Sequence, residues 1–128
     1  MFNSSWYLNL IKPSFSPPNW LFAPVWSILY LLIFASLALY INSDAPYKKW
    51  GYIFFVIQML LNIIWSPVFF GLKSLSLGLI VIILLDIFVI LTMVKFFQAS
   101  KISGILLIPY LLWIIFATYL NVGYLILN

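Results

Sequence analysis

Cysteine, histidine and arginine are all missing from this chain of 128 residues, and only Asp44 and Asp86 stand against its six lysines. Without thiols there is no disulfide framework and no thiolate metal site; without imidazole there is no axial haem ligand of that type and no histidine base. No two-carboxylate pair, phosphate-cradling glycine loop, base–nucleophile pair or metal-ligand cluster can be assembled from what remains, so turnover by ordinary acid–base chemistry is not expected. Charged residues make up 6% of the chain and hydrophobic ones 66%. That balance cannot clothe a water-exposed domain, and it marks a protein whose partner is the lipid bilayer. The net charge of +4 comes from lysines flanking apolar runs. It therefore reads as a topology signal, with no nucleic-acid footprint.

Four apolar stretches are present, at about residues 21–41, 50–70, 75–97 and 102–127, each near the roughly 20 residues that a helix needs to cross about 30 Å of hydrocarbon. The breaks between them are short and polar: Asn42 to Lys49 with Pro46, Gly71 to Ser74 with Lys73, and Gln98 to Lys101. A barrel strand would alternate apolar and polar residues, whereas Leu79 to Leu85 is unbroken aliphatic. The expected fold is therefore all-α, a membrane-spanning bundle of four transmembrane helices forming one domain over residues 1–128. Residues 1–20 differ in kind, with Trp6, Tyr7, Lys12, Pro13, Pro17, Pro18 and Trp20 but no long apolar run. No basic start precedes an apolar core, as a cleaved signal would require. Proline stiffness makes Lys12 to Pro18 an extended segment at the interface, able to serve as a lid. Lys48, Lys49, Lys95 and Lys101 fall on one side of the bundle and Lys12 and Lys73 on the other, so the positive-inside bias turns both termini away from the cytoplasm.

Aromatic residues form 20% of the chain. At spacings of three and four, Phe22, Trp26 and Tyr30 share one stripe of the first span, Gln58, Asn62, Trp65 and Phe69 one stripe of the second, and Trp113, Ala117, Asn121 and Tyr124 one stripe of the fourth. The third span has no Trp or Tyr and reads as scaffold or partner-facing surface. Trp6, Trp20 and Trp50 lie at segment ends and suit an interfacial belt. Trp65 and Trp113 lie deeper, where an indole N–H needs a partner. Gln58, Asn62 and Asn121 carry amides into apolar segments and should face inward, either in hydrogen bonds between helices or toward a ligand. Asp86 is the one acid within a span, and no cation stands at its depth. It is protonated, near water or at a subunit contact, and it is the residue a proton-coupled exporter would use. Pro67 and Pro109 interrupt the second and fourth spans, either as simple bends or as kinks that widen a cavity.

The run Trp6-Tyr7-Leu8-Asn9-Leu10-Ile11-Lys12-Pro13-Ser14-Phe15-Ser16-Pro17-Pro18, then Pro24-Val25-Trp26 with Tyr30, Leu61-Asn62-Ile63-Ile64-Trp65-Ser66-Pro67-Val68-Phe69-Phe70, and Pro109-Tyr110-Leu111-Leu112-Trp113 with Phe116-Ala117 and Leu120-Asn121, strongly resembles the TspO/MBR family of tryptophan-rich sensory proteins and translocator proteins. The resemblance covers nearly the whole chain in the family's order. It implies a helical membrane protein, often a homodimer, with a cavity that binds porphyrins such as protoporphyrin IX, and no covalently bound cofactor and no metal. By matching position, the ligand-binding residues would be Trp26 and Trp113 as ring platforms, Asn62 and Tyr30 beside them, Tyr7 and Pro17 from the lid, and Phe22, Trp65, Ser66, Phe69 and Ala117 on the walls. Asn121 joins this set from its inward face. Light-dependent porphyrin breakdown, reported for some members, would fall to Trp26 and Trp113. Porphyrin propionates would sit at the polar mouth, near Lys12.

Two departures from the family pattern stand out. Members typically carry five membrane helices, the first ahead of the Trp-Tyr motif, while this chain starts about five residues before it. Its cavity is then expected to belong to a shortened form, to be covered by a second subunit, or to open sideways to lipid. A sterol-type motif would need a basic residue after Tyr124, and only Leu125 to Asn128 follow, so sterol is not expected. The acid common early in the family's penultimate helix would fall near Val81; the acid here is Asp86.

The resulting expectation is a multi-pass protein of the bacterial inner membrane that binds tetrapyrroles as sensor, carrier or light-dependent degrader. The competing readings are a small proton-coupled exporter working through Asp86, and a membrane adaptor with a vestigial cavity.

Overall fold

The computed structural model describes residues 9–10, 21–44, 48–72 and 74–128. Tyr7, Pro17 and Lys12, with Trp6, Trp20, Pro46, Lys73 and most of the expected lid, lie outside the described residues. Among the described residues there are five α-helices: α1 (Phe22–Ile41), α2 (Lys49–Ser66), α3 (Leu75–Ala99), α4 (Lys101–Leu106) and α5 (Ile108–Leu127). With α4 and α5 running as one span, four helical segments are long and apolar enough to cross a bilayer, and no strand occurs among the described residues.

Polar residues mark the ends of these elements. Ser74 accepts a hydrogen bond from the Leu77 backbone N–H at 3.1 Å and so caps the start of α3. Ser100 caps α4 through the Ser103 N–H at 3.4 Å. At the C-terminal end of α1 the Lys48 ammonium donates to the Ile41 carbonyl at 2.9 Å, an acceptor that the last helical turn leaves open, and to the Ser43 carbonyl in the turn that follows.

The prolines act differently from simple kinks. Pro67 follows the last residue of α2 and opens a π-helical turn, Pro67–Gly71, closed by the Leu72 N–H on the Pro67 carbonyl at 3.0 Å. Pro109 lies in the first turn of α5, where its missing N–H is one that no helix start would pair anyway. The fourth span therefore breaks at Leu107, whose N–H bonds back to the Gly104 carbonyl at 3.1 Å. Both prolines mark boundaries between elements.

Of the two roles that its lack of Trp and Tyr suggested, scaffold or partner-facing surface, the third span takes the scaffold's. Helix α3 packs against α2 and α5 along its length and against α4, and it buries Gly78, Ile82, Leu85, Val89, Thr92 and Phe96. Its Val, Ile and Leu side chains do the filling, and only its remaining face is lipid-exposed. At the end of the bundle near Lys48, Tyr40 stacks on Phe96 with ring centroids 4.1 Å apart, and Phe96 stacks in turn against Phe55 at 5.9 Å. Ser36 and Ser103 exchange hydrogen bonds there: the Ser36 hydroxyl donates to the Ser103 carbonyl at 2.6 Å, and the Ser103 hydroxyl to the Ser36 carbonyl at 2.7 Å. Glycine is required at Gly51, because a Cβ would lie 2.1 Å from the Tyr40 hydroxyl oxygen. This end is closed and tightly packed.

Candidate functional site

Helix α1 packs mainly on α4, with smaller contacts to α5 and α3, and α2 packs on α3, so α1 and α2 are bridged by side chains and not packed backbone to backbone. A cavity of about 180 Å³ lies between α1 and α2. Ala23, Trp26 and Tyr30 of α1 line it on one side and Asn62, Trp65 and Ser66 of α2 on the other, with Ile82 and Leu85 of α3 and Ile114 of α5 behind them. The four-residue helical repeat produces this wall, since 26 and 30, and 62 and 66, are each successive turns of one face.

The floor is polar. The Tyr30 hydroxyl donates to Asn62 Oδ1, and Asn62 Nδ2 donates to the Tyr110 hydroxyl at 2.8 Å. Tyr110 then donates to Gln58 Oε1 at 2.8 Å. This chain of side chains ties α1, α2 and α5 together, and Gln58 and Tyr110 are almost wholly buried. Satisfying hydroxyls and amides mutually is what makes them tolerable in hydrocarbon. Asn62 spends its carbonyl on one helix and its amide on another, so it serves both as interhelical bond and as cavity lining. Gln58, on the same stripe, belongs to the network and not to the lining.

Aromatic rings set the shape above the floor. Trp26 lies with its centroid 5.8 Å from that of Tyr30 and meets Tyr110 edge-on at 6.4 Å. Trp65 packs on Phe69 at 5.0 Å, and its indole N–H reaches Asn121 Oδ1 at 3.4 Å. Asn121 is itself pinned, its Nδ2 donating to the Leu75 carbonyl at 2.9 Å. Trp113 meets Phe22 edge-on at 5.7 Å and lies 5.7 Å from Phe116.

Of the residues singled out from sequence, Trp26, Tyr30, Asn62, Trp65 and Ser66 come together on the cavity wall. Phe22, Phe69 and Trp113 form an adjoining aromatic cluster with Leu120 and Tyr124. Ala117 packs against the main core and Asn121 braces Trp65 from behind. The indoles of Trp26, Trp65 and Trp113 nevertheless pack against the same two buried clusters, so three spans do direct their tryptophans to one region of the interior. Among the described residues, the buried N–H groups of Trp113 Nε1 and Gln58 Nε2 have no hydrogen-bond partner.

Sequence reasoning missed Ala23, Ile82, Leu85 and Ile114, because nothing separates an aliphatic residue that lines a hollow from one that fills a core. It also missed the partner of Asp86. The Thr118 hydroxyl donates to Asp86 Oδ2 at 2.6 Å and lies 2.8 Å from the Ile114 carbonyl, clasping α3 to α5 behind the cavity. A neutral hydroxyl from a neighbouring span stands where the search for a charged partner found none.

The sequence matches the TspO/MBR family over residues 1–127. It is 46% identical over 130 aligned positions to the tryptophan-rich protein TspO of Chlorobaculum tepidum, covering 98% of this chain and 81% of that one. Identity to the tryptophan-rich sensory protein of Cereibacter sphaeroides is 40% over 116 positions, covering 91% and 72% respectively. The translocator protein of Homo sapiens is 34% identical over 125 positions, covering 91% of this chain and 70% of its own length. Together with four apolar spans folded around an aromatic hollow, this extent of similarity makes the chain a multi-pass membrane protein belonging to the TspO/MBR family.

Proposed function

We propose that this protein binds a porphyrin or related tetrapyrrole in the cavity between α1 and α2. The observation that carries the reading is the pairing of two half-buried indoles, Trp26 and Trp65, across an apolar hollow whose polar groups are confined to the Tyr30–Asn62 floor and Ser66. Flat conjugated rings gain from stacked or edge-on contact with indoles, and a few fixed polar groups suffice to orient them. The absence of His and Cys from the sequence means that such a ring is held by its faces and edges, with no imidazole or thiolate on a central metal. Sensing, carriage and light-driven breakdown all begin with this binding step. In the last case the pigment absorbs the light and an adjacent indole donates the electron. A bacterial-type inner membrane and a homodimer belong to the same proposal.

Titration of detergent-solubilised protein with protoporphyrin IX in the dark tests it, with quenching of tryptophan emission as the readout. Saturable quenching that weakens in Trp26→Phe is expected. Illumination of the same samples then reports whether the porphyrin absorbance decays faster with protein than without. Affinity unchanged in both Trp26→Phe and Trp113→Phe, or quenching that never saturates, overturns the assignment.

A further inference from the structure

Asn121 is 1% exposed and does not line the cavity, yet both halves of its amide are committed to groups that frame it. Its Nδ2 donates at 2.9 Å to the carbonyl of Leu75, the first residue of α3, and its Oδ1 accepts the Trp65 indole N–H at 3.4 Å. One side chain of α5 thus links the start of α3 to the end of α2. Because one half of an amide only donates and the other only accepts, these two partners fix which way round it sits. The anchor is itself held, since Ser74 caps this start of α3 by accepting from the Leu77 N–H. Glycine at position 78 makes the room. A Cβ there would lie 3.1 Å from Asn121 Oδ1 and 3.0 Å from Phe69 Cδ2, and Phe69 is the ring that packs on Trp65 at 5.0 Å. Both supports of this indole, the hydrogen bond at its N–H and the ring beside it, therefore rest against one glycine of α3. Trp113 differs: its N–H is buried with no hydrogen-bond partner among the described residues.

From this geometry we infer that Asn121, seated by Gly78, is a positioning residue for ring binding: it sets the plane of the Trp65 indole and holds its N–H on a group behind the cavity wall, so that Trp65 meets a ligand with its ring alone. The inference rests on the ring-binding reading above and deepens it. Releasing a bonded donor into apolar surroundings is costly, so the indole does not turn to offer its N–H to a ligand. Hydrogen bonding to the ligand is left to the polar lining groups of Tyr30, Asn62 and Ser66. A platform ordered in advance also serves a flat ring better, because binding then has no side chain to immobilise.

The test places Asn121→Leu, close in size and unable to accept a hydrogen bond, in the wild-type chain and in a Trp65→Phe background. In ligand-free protein isotope-labelled at the indole nitrogens, Trp65→Phe identifies the Trp65 N–H resonance among those of the six tryptophans. Asn121→Leu is expected to move that resonance upfield, further than any other. Protoporphyrin IX, followed by its own absorbance, should bind about three- to tenfold more weakly to Asn121→Leu than to wild type, the range that one interhelical hydrogen bond sets. In the Trp65→Phe background, where no N–H remains to be positioned, the same substitution should change affinity by less than about twofold, whereas a general loss of stability would weaken binding in both backgrounds alike. An equal penalty in both, or a Trp65 resonance that Asn121→Leu leaves in place, overturns the inference while leaving ring binding intact. Gly78→Ala, which crowds Asn121 and Phe69 without removing either, carries the same two readouts should Asn121→Leu not fold. Wild-type protein without saturable porphyrin binding overturns the ring-binding reading, and the ligand-free resonance then decides the placement of the indole by itself.

Discussion

The two ends of the α1–α2 pair are built on opposite principles. Near Lys48 the Tyr40 ring of α1 reaches across to Gly51 of α2 and stacks on Phe96 of α3, while Ser36 exchanges hydrogen bonds with Ser103 of α4, so buried rings and small residues tie α1 to its neighbours. Without a hydrophobic force between helices in lipid, close packing and interhelical hydrogen bonds are what hold such a contact. Toward Phe22 and Ser66 the facing residues are Trp26 and Trp65, which are too large for close approach, and a hollow remains. The contrast teaches that packing near Tyr40 holds the bundle together while the Trp26–Trp65 region leaves room for a ligand-sized space. Stability and binding should therefore respond to different substitutions.

The harshest way to break the contrast is Gly51→Ala. The new methyl would meet a Tyr40 ring that has nowhere to go, since Tyr40 is 1% exposed and stacked on Phe96. Overpacking of this kind costs about 1–3 kcal/mol. A lower thermal midpoint in detergent, with protoporphyrin binding weakened because α2 shifts against α1 and both line the cavity, is the expected result; an unchanged midpoint would show that the Tyr40–Gly51 contact is not the clamp. At the cavity, Trp26→Phe should leave the midpoint nearly unchanged and weaken protoporphyrin IX by about tenfold, since an aromatic contact contributes roughly 0.5–1.5 kcal/mol and 1.4 kcal/mol is tenfold. Trp113→Phe, in the adjoining cluster, should weaken it less, and a larger effect than at Trp26 would move the site toward Phe22. Replacing Ser36 by alanine removes one bond of the reciprocal pair. It should lower stability by about 0.6–2 kcal/mol without altering ring affinity, as read by thermal unfolding and quenching on the same preparation. The smallest effect is expected for Asp86→Asn, whose side chain can still accept from Thr118: porphyrin affinity should stay within twofold. Uptake into vesicles that needs a pH gradient and is lost in this variant would instead favour the exporter reading.

Much of the site was legible because polar and aromatic groups are rare signals in an apolar chain. Asn62 and Tyr30, placed on inward stripes, do meet, and Trp26 and Trp65 do face one hollow. What stayed hidden had no such signal. Ile82, Leu85 and Ile114 are ordinary aliphatic residues until neighbouring helices leave space in front of them. Thr118 is an unremarked hydroxyl until α5 brings it to Asp86. Pro67 and Pro109 look like kinks in a linear reading, because only backbone hydrogen bonds reveal that each begins a new element.

The sequence by itself determined that the chain lives in a bilayer as four helical spans, since hydrocarbon permits few backbone arrangements and apolar runs of this length have one economical use. It also determined which faces carry rings and amides, because helical periodicity is local. Only the tertiary structure decided that a hollow lies between α1 and α2, that Trp113 stands beside it and not on its wall, and that the third span backs the cavity. Those outcomes depend on how closely pairs of helices approach, a property of two surfaces together that no single stretch of chain encodes.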